Sequence, residues 1–556
     1  MTPSAGLLQA RFMADIEVDV LIVGGGPVGL SASLECSRHG LTSLLVEKHA
    51  GTSIFPKARL VSTRTMELLR SWGLQDEVER AGLPREDSLA VGVGTSLTAD
   101  DFHRETAPIA ADAPQSPTYA YICAQDELEV ILKRTAETLP GADVRFATAM
   151  TAFSQDGEGV SATIESSGAT AEVRSAYVIA ADGARSSIRE RLAIGVDGPP
   201  PIGHMISIMF EADIGDLLHD RRCALYFLRS TIPCAVEAVD NDRRWIVQTG
   251  YDPAEGGSAD DFTPEFCTEI VREAVGIGEL DVTLIATMPW LQQAVTARSY
   301  RDGRIFLAGD SAHVSTPQGG FGMNCGIQDA HNLVWKIAAV HKGHAGEGLL
   351  DTYGPERRPI GERTVGESLT NALITFRMME GELTMAEAIA LQAGRRSSEG
   401  LVLGFHYDSA AVVGDGSPPP QPDDPYRTYV PTARPGHRAP HVTVHRAGAR
   451  MSTLDLLGTG FTLFTTPGSG WSDIAADVAA RTGDHVVPVE LDPGLPTGGG
   501  LCAPGWTEAY GTSTTGAVLV RPDGHVAWRY AGTDGNVLDG RRALVDALDE
   551  VLSRSH

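Results

Sequence analysis

Three clusters of glycine and acid in this chain have the spacing of groups that bring backbone to phosphate and carboxylate to sugar. They are Gly24-Gly25-Gly26-Pro27-Val28-Gly29, Asp182-Gly183 and Gly309-Asp310-Ser311-Ala312-His313. In the first, Gly24 permits a tight turn, Gly26 lets the backbone approach a pyrophosphate, and Gly29 lets a helix pack on a strand. Pro27 and Val28 open that helix, whose free N–H groups and dipole hold phosphate. Glu47, with Lys48 beside it, follows at the usual distance of about 20 residues for an acid that binds a ribose diol. Asp310 ends an apolar run and can accept hydrogen bonds from a polyol, and ribityl is the polyol that FAD has and NAD lacks. The tract containing Pro317, Gly320, Gly322, Met323 and Asn324 is too glycine-rich to be helical, so it reads as a loop. Ile327, Ala330, Val334, Ile337 and Ala338 then mark one face of a helix. Its N-terminus is suited to stabilise negative charge on a reduced ring system. His313 reads as part of the strand turn and not as a general base. No protein nucleophile, triad or metal-ligand spacing is visible, so neither a catalytic side chain nor a metal is expected.

These clusters need rigid elements behind them, and Val18–Val23, Leu44–Val46, Tyr177–Ala181 and Arg304–Ala308 read as buried strands. Each ends at one of the clusters or at Glu47. The expected class is α/β: a split, Rossmann-like FAD-binding domain with an inserted β-sheet substrate domain and a C-terminal domain whose element order resembles a thioredoxin-like unit. The expected boundaries are 1–192 for the first part of the FAD-binding domain, with 83–118 contributing to the substrate side. They continue with 193–296 for the inserted sheet, 297–413 for the second FAD-binding part with helices, 414–440 for a linker, and 441–556 for the last domain. Alternating segments such as Met205–Phe210, Ala224–Leu228 and Trp245–Gln248 give the sheet. Met209, Tyr226, Phe227, Trp245 and Trp290 are its candidates for substrate contact. Pro418-Pro419-Pro420, Pro422, Pro425, Pro431 and Pro435 mark the linker, beyond which the last domain is expected to hang. That domain reads β-α-β, then a hairpin about Pro522-Asp523-Gly524, then a helix.

The order of the three clusters resembles the fingerprints of class A, single-component flavoprotein aromatic hydroxylases, the family of para-hydroxybenzoate and phenol hydroxylases. Pro56-Lys57-Ala58-Arg59 and Arg64-Thr65-Met66-Glu67 are similar to the phenol hydroxylase and actinomycete polyketide hydroxylase branches. The resemblance implies FAD as cofactor and NADPH or NADH as a transient reductant bound without a Rossmann site of its own. It implies that O2 adds at flavin carbon 4a and that the hydroperoxide delivers one oxygen atom to an aromatic small molecule, phenolic or polycyclic. It also places Arg59 on the FAD phosphates, Gln125 near the cofactor, and Asp182 where that fingerprint serves both FAD and NAD(P)H. The thioredoxin-like domain carries Pro467-Gly468-Ser469-Gly470-Trp471 where a redox thioredoxin has its two cysteines, so packing or an oligomer contact, such as a homodimer, is its expected role. Baeyer–Villiger or epoxidising chemistry on the same scaffold stays open at this point, as does a non-catalytic flavin-binding scaffold. The W-x-W-x-I-P signature of flavin halogenases is absent.

Composition narrows the partners. The 556 residues carry a formal charge of −27, which argues against nucleic acid or an anionic membrane surface. Anionic cofactors must therefore be held by local helix ends against an unfavourable overall field. No apolar stretch reaches the roughly 18 residues of a membrane span. The start, Met1–Gly6, lacks a leader pattern, and the seven scattered cysteines fit a reducing cytoplasm.

Overall fold

Val20, Leu21 and Ile22 are all fully buried, because the strand Ile16–Val23 lies mid-sheet with both faces covered, as parallel strands require. This computed structural model describes residues 15–554, apart from 89, 107–114, 380, 384–386, 388–390, 392–397, 483–484, 495–499 and 533–539. Met1–Gly6, read above for a leader, lies outside the described residues. Strands Ser43–Val46 and Ala169–Ala180 flank the first strand in parallel, and Ile305–Leu307 joins beyond Ala169–Ala180. The register sets Val23 opposite both Val46 and Ala180, and Ala180 opposite Leu307. Four strands therefore end side by side, and the residues that follow them share one edge of the sheet. Helices Pro27–Arg38 and Gly322–His341 cover one face, and they touch through glycine. A Cβ on Gly326 would stand 2.6 Å from Val28 and 2.8 Å from the backbone of Gly309. An antiparallel meander, Ala149–Gln155, Val160–Ser166 and Ala169–Ala180, extends this sheet; the sequence reading did not contain it.

The inserted sheet has seven strands in the order Thr283–Gln292, Gly203–Glu211, Arg244–Tyr251, Cys234–Ala238, Leu225–Leu228, Ala90–Gly94 and His103–Thr106. Helix Pro264–Val275, also absent from the sequence reading, shares its apolar face with the outer side of this sheet. The strand Ala90–Gly94 pairs in parallel with Leu225–Leu228, so this part of 83–118 belongs to the inserted sheet.

The C-terminal sheet runs Val486–Glu490, Phe461–Thr465, Ala517–Val520, Val526–Tyr530, with the first pair parallel and the rest antiparallel. Helices Trp471–Thr482 and Gly540–Val551 accompany it. It does not hang free. Arg521 donates to both oxygens of Glu356, at 2.7 and 2.8 Å, and also pairs with Asp523. Glu356 in turn accepts from Lys336 and Asn332, both at 2.7 Å, on the helix that packs against Pro27–Arg38. Arg438, at the end of the proline tract, is fully buried on Glu67. The tract itself holds no regular strand or helix, yet Tyr426, Tyr429, Ala433 and Ala439 are buried in it. Removing one partner from such a pair leaves a buried, uncompensated charge and costs about 3–5 kcal/mol.

The same seam carries His437 and His525, both buried, and burial is the main cause that lowers each ring to about 4. Both are neutral in the fold, while the unfolded chain protonates them below about 6.5. Their contribution to stability is thus full above that pH and is lost as pH falls towards 4. Each ring adds a slope of about 1.4 kcal/mol per pH unit inside that window. We expect the urea midpoint to fall steadily between pH 7 and 5; a flat profile over that range contradicts neutral, docked histidines.

Candidate active site

The aligned strand ends bring the first and third sequence clusters and Glu47 to one place. Gly24 donates its N–H to Val46 at 2.9 Å, Ala181 to Val23 at 2.8 Å, and Ala308 to Ala180 at 3.0 Å, so the turns follow one another across the edge. Gly24 has φ +117°, and a Cβ there would stand 2.1 Å from the carbonyl oxygen of Ala181. A Cβ on Gly29 would stand 1.9 Å from the oxygen of Gly24. Gly26, by contrast, meets nothing within 4 Å. Two glycines are demanded by protein packing, and the third leaves open space beside a helix N-terminus. That is the cradle a pyrophosphate fills.

Glu47 accepts from the N–H of Gly25 at 2.7 Å and from the N–H of His49 at 2.8 Å. Burial alone raises its carboxyl pKa, but these N–H groups and the His49 ring outweigh it and hold the group below the ordinary carboxylate range. Lys48 beside it is exposed. Asp310 is enclosed by protein yet keeps solvent access to its side chain, so it lines a hollow. Burial raises its pKa against the pull of His313 and Lys57. Asp182 is half-buried, with Oδ2 accepting from the N–H of Ile188 at 3.3 Å while Oδ1 finds no partner. Acceptors with free lone pairs beside an open cradle match the diol, ribityl and phosphate parts of FAD.

The turn that carries Asp310 is clamped from below. Asp329 accepts from the N–H of Gly309 at 3.0 Å, pairs with His313 at 2.7 Å, and binds Arg357 at 2.7 Å. Burial alone would lower the His313 pKa, but Cys325 and Asp329 hold it well above its ordinary value. His313, Cys325 and Asp329 place ligand atoms within 4.8 Å of one another, yet both Asp329 oxygens are already taken by cationic partners. His313 is a buried clamp, consistent with its reading as part of the turn. The sequence reading did not find Asp329 or Arg357, because the ion pair joins residues on separate helices.

The stretch expected to be a loop turns helical earlier, at Gly322. Asn324 explains this. Its Nδ2 donates to Leu60 and Gly320, both at 2.7 Å, and its Oδ1 accepts from the N–H of Ser62 at 2.8 Å, which pins the first turn. Asn324 is thus a positioning residue, and Gly320, at φ +64°, passes so near Leu60 that a Cβ would lie at 2.7 Å. Pro317 is exposed, while Gly322 and Met323 are half-buried at the helix N-terminus, next to Asp310. Gln125 donates to Glu129 at 2.7 Å at the start of its own helix.

Two expectations change. Arg59 does not offer its Nε or Nη1 to phosphate. Nη1 donates to the carbonyls of Ala224 and Ala238, both at 2.7 Å, and Nε pairs with Glu237 at 2.8 Å. It ties the inserted sheet to the FAD side. Tyr226 and Trp245 lie on the outer face, fully buried with Ile208, Phe210 and Val271. Strand alternation put them there: Ile246, next to Trp245, faces inward with Met209 against Phe55 and Ala124. Phe227 and Trp290 share that inner face by register, and Gln292 on it donates to Gln318 at 2.8 Å. A separate open cleft, lined by Arg298, Tyr300, Asp351 and Arg358, adjoins the Asp329 clamp through Tyr300, whose ring stacks on His313.

Residues 17–368 match the family model described as FAD binding domain, and residues 432–555 match that described as aromatic-ring hydroxylase, C-terminal. Tetracenomycin A2 monooxygenase-dioxygenase of Streptomyces glaucescens is 40% identical, covering 98% of each chain. Aklavinone 12-hydroxylase RdmE of Streptomyces purpurascens is 37% identical, covering 98% of this chain and 100% of its own. Among solved structures, the flavin-dependent monooxygenase PieE in complex with FAD and substrate superposes with a TM-score of 0.88 at 32% identity, over 97% of this chain and 100% of its own. A ternary complex of aklavinone-11 hydroxylase with FAD and aklavinone gives 0.85 at 35%, over 98% and 100%.

Asp310→Ala removes an acceptor for a ribityl hydroxyl, and we expect it to weaken FAD binding by about 1–3 kcal/mol. Fluorescence titration of flavin-stripped protein measures this; an unchanged dissociation constant removes Asp310 from the site.

Proposed function

Because the chain belongs to the family of FAD-binding aromatic-ring hydroxylases, we propose that it is an NAD(P)H-consuming monooxygenase that hydroxylates a polycyclic aromatic polyketide. The observation that carries this reading is the direction of the inserted sheet. Its inner wall, the face that bears Phe227, Met288 and Trp290, is turned to the cofactor side. Met209 and Ile246 on it pack with Phe55 and Ala124, and Gln292 on it donates to Gln318, in the loop between Asp310 and the helix at Gly322. Flat rings gain affinity from such a wall by apolar burial with few polar anchors.

When bound, FAD would supply the redox chemistry that couples NAD(P)H and O2 to hydroxylation of an electron-rich ring carbon, the second oxygen atom leaving as water. The chain's own groups bind, orient and exclude water. Glu47 takes the ribose hydroxyls, Asp310 the ribityl chain, and the N–H groups about Gly26 the phosphates. The N–H groups of Gly322 and Met323, at a helix N-terminus beside Asp310, would stabilise negative charge on a bound ring system. Asp329, with His313 and Arg357, keeps the Asp310 turn in place. The inner wall keeps the reacting carbon in a water-poor gap.

After the hairpin of Thr443–Arg446 and Ala449–Ser452, the last unit runs β-α-β-α-β-β-α from Phe461, with Trp506–Ala509 as a one-turn helix. This order, the sheet order and the absence of a cysteine pair in the turn 467–471 support a thioredoxin-like domain kept for packing. We keep domain limits near residues 192, 413 and 440, whereas 296 falls inside the strand Val295–Ala297, which pairs with Val196–Asp197 and with His313–Val314.

Purified protein should be yellow, and a panel of polycyclic phenols should stimulate its NAD(P)H oxidation. At least one product should gain a single oxygen atom, labelled when the gas is ¹⁸O₂. Consumption that yields peroxide alone with every phenol, or label drawn from water, rejects the reading.

A further inference from the structure

The inner wall contains one feature that the cofactor site does not account for. Register places Phe227, Ala235, Gln248, Ser207 and Met288 in a single row across five strands, all on the face of Met209 and Ile246. Met205 and Trp290 form the next row towards Gln292. Ser207 is already engaged, since it accepts from Trp290 Nε1 at 2.9 Å. Gln248 is different. It is half-buried at the centre of the row, between Ala235 and Ser207, and its amide has no hydrogen-bond partner among the described residues. A polar side chain held mid-wall on a strand, half-buried and without such a partner, is placed to meet a ligand.

The charge pattern around it narrows the ligand. Neither row contains a charged side chain. Beyond these five strands His103 continues the first row through Val93. The other charged groups of this face, Glu105, Glu211, Glu237 and Arg244, lie towards the other end of the strands, where Arg59 pairs with Glu237, and Asp126 and Glu127 pair with Arg244. A carboxylate or phosphate laid against the wall would be desolvated with no counter-charge, which is expensive. A neutral amide instead offers one acceptor and one donor group side by side. That pair complements a phenolic hydroxyl next to a quinone or ketone carbonyl.

Resting on the function proposed above, we propose that Gln248 is the specificity-determining anchor of the substrate wall, selecting an uncharged hydroxy-quinone polycycle over an aromatic carboxylate. The amide carbonyl accepts from the ring hydroxyl and its NH2 donates to the adjacent carbonyl, while Phe227, Met288 and Trp290 cover the rings.

The test uses the full-length, FAD-loaded protein and three probes: a peri-dihydroxyanthraquinone, its dimethyl ether and an anthraquinone carboxylate. Binding is read as perturbation of the flavin absorbance, which needs no turnover. The wild type should bind the dihydroxy compound more tightly than the carboxylate. Gln248→Leu and Gln248→Met should each lose about tenfold for the dihydroxy compound, the size of one neutral hydrogen bond, and less than twofold for the ether. Gln248→Lys should reverse the preference towards the carboxylate. FAD content and melting temperature of each variant report folding, and two apolar replacements guard against one that fails to fold. Equal losses for phenol and ether, no loss for either, or a wild type that prefers the carboxylate overturns the proposal. Failure of the monooxygenase reading would show separately, as absence of oxygenated product from wild type with every phenol, whatever the binding data give.

Discussion

Everything in the site follows from one register. Because Val23 stands opposite Val46 and Ala180, and Ala180 opposite Leu307, four turns distant in sequence become neighbours at one sheet edge. A slip of one residue in any strand would turn its following acid to the other face. The register is protected by backbone approaches that no side chain could survive, at Gly24 against Ala181 and at Gly326 against Gly309 and Val28. These contacts bring the N-terminal turns of helices Pro27–Arg38 and Gly322–His341 to the same sheet edge. With a chain charge of −27, such local dipoles are how an anionic cofactor is accommodated at all.

The second level of the design is electrostatic and buried. Asp329 ties the Asp310 turn to Arg357 on the long helix Tyr353–Met379, and the preceding residue of that helix, Glu356, receives Arg521 from the C-terminal unit. Lys336, on the helix whose N-terminus faces the cofactor site, meets the same Glu356. The C-terminal unit is therefore connected to the cofactor turn through a chain of paired charges rather than through the proline tract alone. Such pairs fix geometry more than they add stability, since desolvation offsets much of their attraction. The absence of cysteines in its 467–471 turn fits a domain retained for this docking.

Much of this was legible in the sequence, for a physical reason: glycines forced by close approach and acids at strand ends are local signals. The cofactor strands, the helix after Gly322, the inserted sheet and the strand-helix order of the last unit were read within a few residues. What was not legible depends on partners far apart in the chain. Alternation showed that Trp245 and Ile246 face opposite ways, but only helix Pro264–Val275 decides which side is the core, and so Tyr226 and Trp245 fell on the outer face. Arg59 followed its motif neighbours towards the cofactor in the reading, whereas Glu237 and two carbonyls of the inserted sheet hold it. Gln248 carried no motif at all, and its place emerges from cross-strand register alone.

The central claim is that separate strand ends converge on one cofactor. Hydrogen exchange of flavin-stripped protein, with and without added FAD, tests it directly. The account predicts slower exchange on FAD addition at residues 24–29, 182–183, 309–311 and 322–324 together, with one saturation curve. Protection confined to residues 24–29, with the other turns unchanged, would contradict it.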